Sequence, residues 1–121
     1  MAQSVLVVDD DPLTQRLLRY YLERAGYEIL GASGGREAIR LAKQHIPKLI
    51  ILDLMLPDID GREVLRQIQK TNATKDIPVV LLSGYAEIAT TEESLQSGAS
   101  QVLVKPINPE QLIAVLRLVL S

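Results

Sequence analysis

The chain has 121 residues, a net charge of −2 and no cysteine. That length supports one hydrophobic core and not two, the missing thiols exclude disulfides and thiolate metal sites, and the scattered lysines and arginines leave no electrostatic footprint for nucleic acid. With 47% apolar and 23% charged residues the composition is that of a globular domain, and no apolar run approaches the roughly 20 residues that cross a bilayer.

Residues 4–8 form a short apolar strand that runs into Asp9, Asp10 and Asp11. Asp11 predicts the N-cap of a helix near 12–25 with Pro12 at its first position, and Leu13, Leu17 and Tyr21 are assigned to its apolar face. Gly26 closes that helix. A strand near 27–32 and a helix near 34–45 follow, with His45 at the helix end, where positive charge is favoured. After Pro47, a strand near 48–52 ends in Asp53. A turn led by Pro57 then holds Asp58 and Asp60, and Asp60 predicts the cap of a helix near 61–71. Pro78 precedes a strand near 78–82 that ends in Ser83. The helix near 86–97 has only Ile88 and Leu95 as an apolar stripe, and it is expected to be the most mobile large element. A last strand at 101–104 ends in Lys105. The helix near 108–120 carries Leu112, Val115, Leu116 and Val119 as its core stripe, which Ile113, Leu118 and Leu120 widen toward a second surface.

Five alternations of strand and helix predict a parallel sheet with right-handed crossovers, hence a three-layer αβα sandwich. In such sheets ligands bind at the carboxyl ends of the strands. Those ends here carry Asp9 and Asp10, Asp53, Ser83 and Lys105. Three carboxylates within a few ångströms repel one another unless a cation neutralises them, and an all-oxygen ligand set selects Mg²⁺ over Zn²⁺. A carboxylate nucleophile, a hard metal, a lysine and a hydroxyl are the parts needed for phosphoryl transfer onto aspartate.

The segments VLVVDDDP, LIILDLMLPDIDG, VVLLSGYA and GASQVLVKP resemble, in that order, the receiver domains of two-component response regulators. The resemblance covers essentially the whole chain, so one receiver domain over residues 1–121 is expected. It implies a flavodoxin-like five-stranded sheet in order 2-1-3-4-5 and a cis bond at Lys105-Pro106. It also implies Asp53 as the phosphoacceptor, Asp10 as a direct Mg²⁺ ligand, Asp9 as a ligand or water-mediated partner, and the Met55 carbonyl as another ligand. Ser83 and Lys105 take the hydroxyl and lysine positions. The implied partners are a sensor histidine kinase or a histidine phosphotransfer protein, docking near Thr14, Leu17, Pro106 and Ile107, and an output protein or a second copy of the chain. A cytoplasmic location is expected, as is a signalling switch with slow self-dephosphorylation instead of a turnover enzyme.

Val102 departs from the pattern, since receivers usually carry an aromatic ring three residues before the lysine. A valine cannot swing a ring inward, so readout through displacement of the helix near 86–97 is expected. Met55 and Tyr85 occupy positions that flank the acyl phosphate in receivers, where their bulk is expected to slow hydrolysis. Three other readings fit less well. A carboxylate-nucleophile phosphohydrolase commonly needs an acid two places after the nucleophile, where Met55 stands. A flavodoxin-type cofactor binder needs a phosphate-cradling loop after the first strand, and Asp9-Asp10-Asp11 would repel a phosphate there. An interaction module silent to phosphorylation would not need the intact acid, hydroxyl and lysine set.

Overall fold

A computed structural model describes residues 3–84 and 98–120, the side chain of Ser83 excepted. The helix expected near 86–97 and Tyr85 lie outside the described residues. Strands β1 (Ser4–Val8), β2 (Glu28–Ala32), β3 (Leu49–Asp53), β4 (Val79–Ser83) and β5 (Gln101–Val104) alternate with helices α1 (Pro12–Arg24), α2 (Gly35–His45) and α3 (Gly61–Lys70), and α4 (Pro109–Leu120) follows β5. The strands form one parallel sheet in the order β2-β1-β3-β4-β5. This is the flavodoxin-like architecture expected above.

The sheet is buried on both faces, which is why its strands read as unbroken apolar runs. Successive side chains point to opposite faces, and two cores result. Leu6, Val8, Ile50, Leu52 and Leu81 pack with Ala38 and Ala42 of α2 and Val64, Leu65 and Ile68 of α3. Val5, Val7, Leu49, Ile51, Val80 and Leu82 pack on the other face with Leu18 and Leu22 of α1 and Leu112 and Leu116 of α4. Each fully buried Val, Leu or Ile contributes about 1.5–3 kcal/mol of transfer free energy. Val102 is half-buried against the α2–α3 core.

The rotation of α1 differs from the expected one. Thr14, Leu18 and Leu22 face the sheet, whereas Leu13 and Leu17 are exposed and Tyr21 is half-buried. Two leucine-bearing stripes run along this helix one residue apart. The stripe that starts with a threonine is the buried one because the Thr14 hydroxyl donates to Asp11 Oδ2 at 3.0 Å, so no donor is buried unpaired. Helix ends follow the sequence signals at Asp11 and Asp60, which cap α1 and α3; Asn108, expected within the last helix, instead caps it, its Oδ1 accepting from the amides of Glu110 and Gln111. Gly26, with φ of 97°, closes α1.

Register brings the strand ends to one edge. Val8 lies opposite Ala32 and Leu52, Asp53 opposite Leu82, and Ser83 opposite Val104. The residues that leave β1, β3, β4 and β5 therefore emerge side by side.

Candidate functional site

Asp9, the first residue past β1, is fully buried, and its neighbour Asp10 is exposed. The Asp9 backbone amide donates to the Ala32 carbonyl at 3.1 Å, which keeps the chain in sheet register one residue beyond the strand. Its Oδ1 accepts from the Asp11 amide at 2.8 Å. Asp53, the last residue of β3, is also buried, and its Oδ1 accepts from the Met55 amide at 3.0 Å. Lys105 arrives from the end of β5 and places Nζ 3.0 Å from Asp9 Oδ2 and 3.0 Å from Asp53 Oδ2. One ammonium thus bridges two carboxylates that are 44 residues apart in sequence.

Carboxylate oxygens of Asp9, Asp10 and Asp53 all lie within 4.8 Å of one another. The three acids carry three negative charges against the single positive charge of Lys105, so the cluster is under-neutralised. Burial raises the pKa of Asp9 above the usual carboxylate range, and the nearby charge of Asp53 adds to that. For Lys105, burial alone would lower the pKa, but its hydrogen bonds and ion pairs with Asp9 and Asp53 together raise it, so the ammonium form is held. Asp9 Oδ2 is buried and, its ion pair with Lys105 apart, has no hydrogen-bond partner of good geometry among the described residues. An under-neutralised set of hard oxygens, with a buried Asp9 Oδ2 met by Lys105 alone among the described residues, fits a small divalent cation.

The loop after β3 is held tightly. Gly61 is buried at the start of α3, and a Cβ there would lie 2.5 Å from the Asp53 carbonyl oxygen and 2.6 Å from Leu54 Cα. Its amide donates to the Leu54 carbonyl at 2.9 Å. Only a residue without a side chain lets α3 begin so close to the carboxylate-bearing strand end. Asp58 reaches across to α2 and accepts from the amides of Gly35 at 2.8 Å and Arg36 at 3.1 Å. Those amides lower its pKa to about 2.

Ser83 closes β4 beside Val104, which brings it to the same edge; its side chain is not among those described. Met55 is exposed, with its amide turned onto Asp53, and Lys105-Pro106 is cis. His45 ends α2, on a different element from the acidic cluster. Beside the cluster, Leu13, Thr14, Leu17, Pro106 and Ile107 line an apolar depression of about 400 Å³ whose polar rim is Asp11 and Lys105. Two contributors escaped the sequence reading. Asp58 bonds 23 residues away, and nothing local signals that partner. Gly61 reads as turn punctuation, and its close approach to Asp53 is visible only once the fold is known.

The profile of the response regulator receiver domain matches residues 5–117. This chain belongs to that family. The receiver is 38% identical over 113 residues to the transcriptional regulatory protein SrrA of Staphylococcus aureus, covering 93% of this chain and 46% of SrrA. It thus spans about half the length of the curated relatives it matches. Its fold is similar to the chemotaxis response regulator CheY4 of Vibrio cholerae, with a TM-score of 0.90 and 32% identity over 98% of this chain and 99% of the other. It is also similar to the receiver domain of the sensor histidine kinase PA1611 from Pseudomonas aeruginosa, which holds a magnesium ion in its active site cleft. There the TM-score is 0.89 and identity 28% over the full length of both chains. Among the described residues, no helix is long and apolar enough to cross a membrane.

Proposed function

We propose that this receiver accepts a phosphoryl group on Asp53 from a phosphohistidine donor and thereby changes its affinity for a partner. The observation that carries the reading is the convergence of Asp9, Asp10, Asp53 and Lys105 at the strand ends, with Asp53 held at both carboxylate oxygens. The Met55 amide and Lys105 fix the plane of that carboxylate, so that one of its oxygens is oriented for attack without a general base. In the transfer, an Asp53 oxygen forms a bond to phosphorus, the phosphorus–nitrogen bond of the donor breaks, and the imidazole nitrogen keeps the electron pair. The product is an acyl phosphate. Lys105 stays within reach of the transferred oxygens, and the Ser83 hydroxyl serves as a donor to one of them.

Mg²⁺, held by Asp10, Asp53 and the Met55 carbonyl with Asp9 in support, would supply the positive charge that offsets the phosphoryl oxygens. The magnesium-bearing PA1611 receiver supports this assignment. The position two after Asp53 is Met55, which cannot shuttle a proton, so the phosphoryl group leaves slowly and the domain acts as a switch. The apolar depression formed by Leu13, Leu17, Pro106 and Ile107 opens beside Lys105 and suits a helical hairpin that presents a phosphohistidine to Asp53. A histidine kinase or a histidine phosphotransfer protein has that chemistry.

The test is the intact mass of the protein after incubation with a small phosphodonor, with Mg²⁺ or with chelator, for wild type and Asp53→Asn. One added phosphoryl group that needs both Mg²⁺ and Asp53 is expected. Equal phosphorylation of Asp53→Asn would overturn the assignment of the acceptor, and no adduct in any arm would make the domain a silent interaction module.

A further inference from the structure

Gln15, one turn into α1, is half-buried and sends its side chain back beneath the acidic loop. Its amide nitrogen lies 2.8 Å from the Ala32 carbonyl, 3.0 Å from that of Asp9 and 3.1 Å from that of Val7. All three neighbours are acceptors, so the amide must turn its donor face to them and its oxygen away. That oxygen points toward β2, where a Cβ added at Gly31 would come within 3.2 Å of it. Gly31 is not among the residues of positive φ. Its missing side chain therefore makes room for the Gln15 amide and gives no special freedom to the backbone.

The Asp9 carbonyl belongs to the peptide that joins Asp9 to Asp10. The residues around it are already fixed elsewhere: the Asp9 amide donates to Ala32, the Asp11 amide to Asp9 Oδ1, and the Gln15 amide nitrogen of the backbone to the Asp11 carbonyl at 3.1 Å. The Gln15 side chain holds the carbonyl of the Asp9–Asp10 peptide, and the orientation of that peptide bears on the direction in which Asp10 leaves the backbone. The Asp10 side chain itself makes no hydrogen bond among the described residues.

We infer that Gln15 is a positioning residue for the divalent cation: by clamping the Asp9–Asp10 peptide to the ends of β1 and β2, it holds two carboxylates at the spacing the cation requires. The inference rests on the Mg²⁺-binding reading of the site. Mg²⁺ demands near-ideal octahedral geometry, so an error in ligand direction weakens binding steeply, and loss of a residue that orients a ligand typically costs about 10–100-fold in metal affinity.

Calorimetric titration of the full chain with Mg²⁺ alone, without phosphodonor, tests it. Gln15→Met keeps the length and volume of the side chain but has no donor, and Gly31→Val keeps the donor but crowds it. Gln15→Met is expected to bind Mg²⁺ about tenfold or more weakly, and Gly31→Val to shift the same way by less. Lower thermal stability of Gln15→Met with unchanged Mg²⁺ affinity would make the clamp purely structural and overturn the inference. If Gln15→Met does not fold, Gly31→Val decides, and wild-type affinity in that variant overturns the clamp. A wild type that binds no Mg²⁺ overturns the reading of the site itself, and the clamp with it.

Discussion

Between β1 and α1, Asp9 and Asp10 crowd Asp53, and one lysine serves Asp9 and Asp53; between β3 and α3, Asp58 and Asp60 each sit on a helix N-terminus. The same side chain is thus used in opposite ways in two loops, one 43–44 residues before Asp53 in sequence and the other five to seven after it. Burial pushes the pKa of Asp9 up. Backbone amides of α2 pull that of Asp58 down to about 2, and hydrogen bonds from Arg62, side chain first, lower that of Asp60. The first loop stores repulsion that a cation can relieve, and the second spends its charges on holding two helices in place. Carboxylates next to one another mark a ligand site only where helix amides do not already satisfy them.

Three experiments sharpen that contrast. The largest effect is expected from the first loop: Mg²⁺ at about a hundred times its dissociation constant should stabilise wild type by about 2.7 kcal/mol in urea unfolding. Asp10→Asn should lose most of this stabilisation, and in chelator it should be no less stable than wild type, because a repelling charge has gone. A clear loss of stability for Asp10→Asn in chelator would show that the charge is structural.

In the second loop, Asp60→Ala should cost about 1 kcal/mol whether or not Mg²⁺ is present, as the loss of a helix cap does. A Mg²⁺-dependent cost would tie the cap to the site. The smallest effect concerns pH. The pKa of Asp58 is lower folded than unfolded, so its contribution is fully present above the ordinary carboxylate range and is lost as pH falls through that range toward about 2. Stability of Asp58→Asn, followed by melting temperature from pH 5 to pH 2.5, should therefore fall less steeply than that of wild type. Parallel acid limbs would contradict the capping role.

Much of the fold is legible from residues alone because both sheet faces are buried and each strand is a short apolar run between Gly, Pro or Asp signals. Asp9, Asp10, Asp53 and Lys105 are legible as a group because strand ends in a parallel sheet converge, and the caps at Asp11 and Asp60 because they bond two residues on. The rotation of α1 is not legible in the same way. Leu17 and Leu18, like Tyr21 and Leu22, offer the sheet two adjacent stripes, and the choice between them falls to the Thr14–Asp11 hydrogen bond. The partners of Asp58 and Gln15 are hidden for a different reason. Each acts on backbone brought close by the tertiary fold, so neither leaves a local pattern.

Lys105 stands directly after β5, which among the described residues lies at the sheet edge and pairs with β4 alone. Local opening of β5 would withdraw one ammonium from Asp9 and Asp53 together, leaving three carboxylates facing each other with no counter-charge. The electrostatic balance of the site is thereby linked to the integrity of the sheet margin. Amide hydrogen exchange in β5 should slow when an added phosphoryl group gives Lys105 a firmer anchor, which makes that strand a natural gauge of phosphorylation at the site.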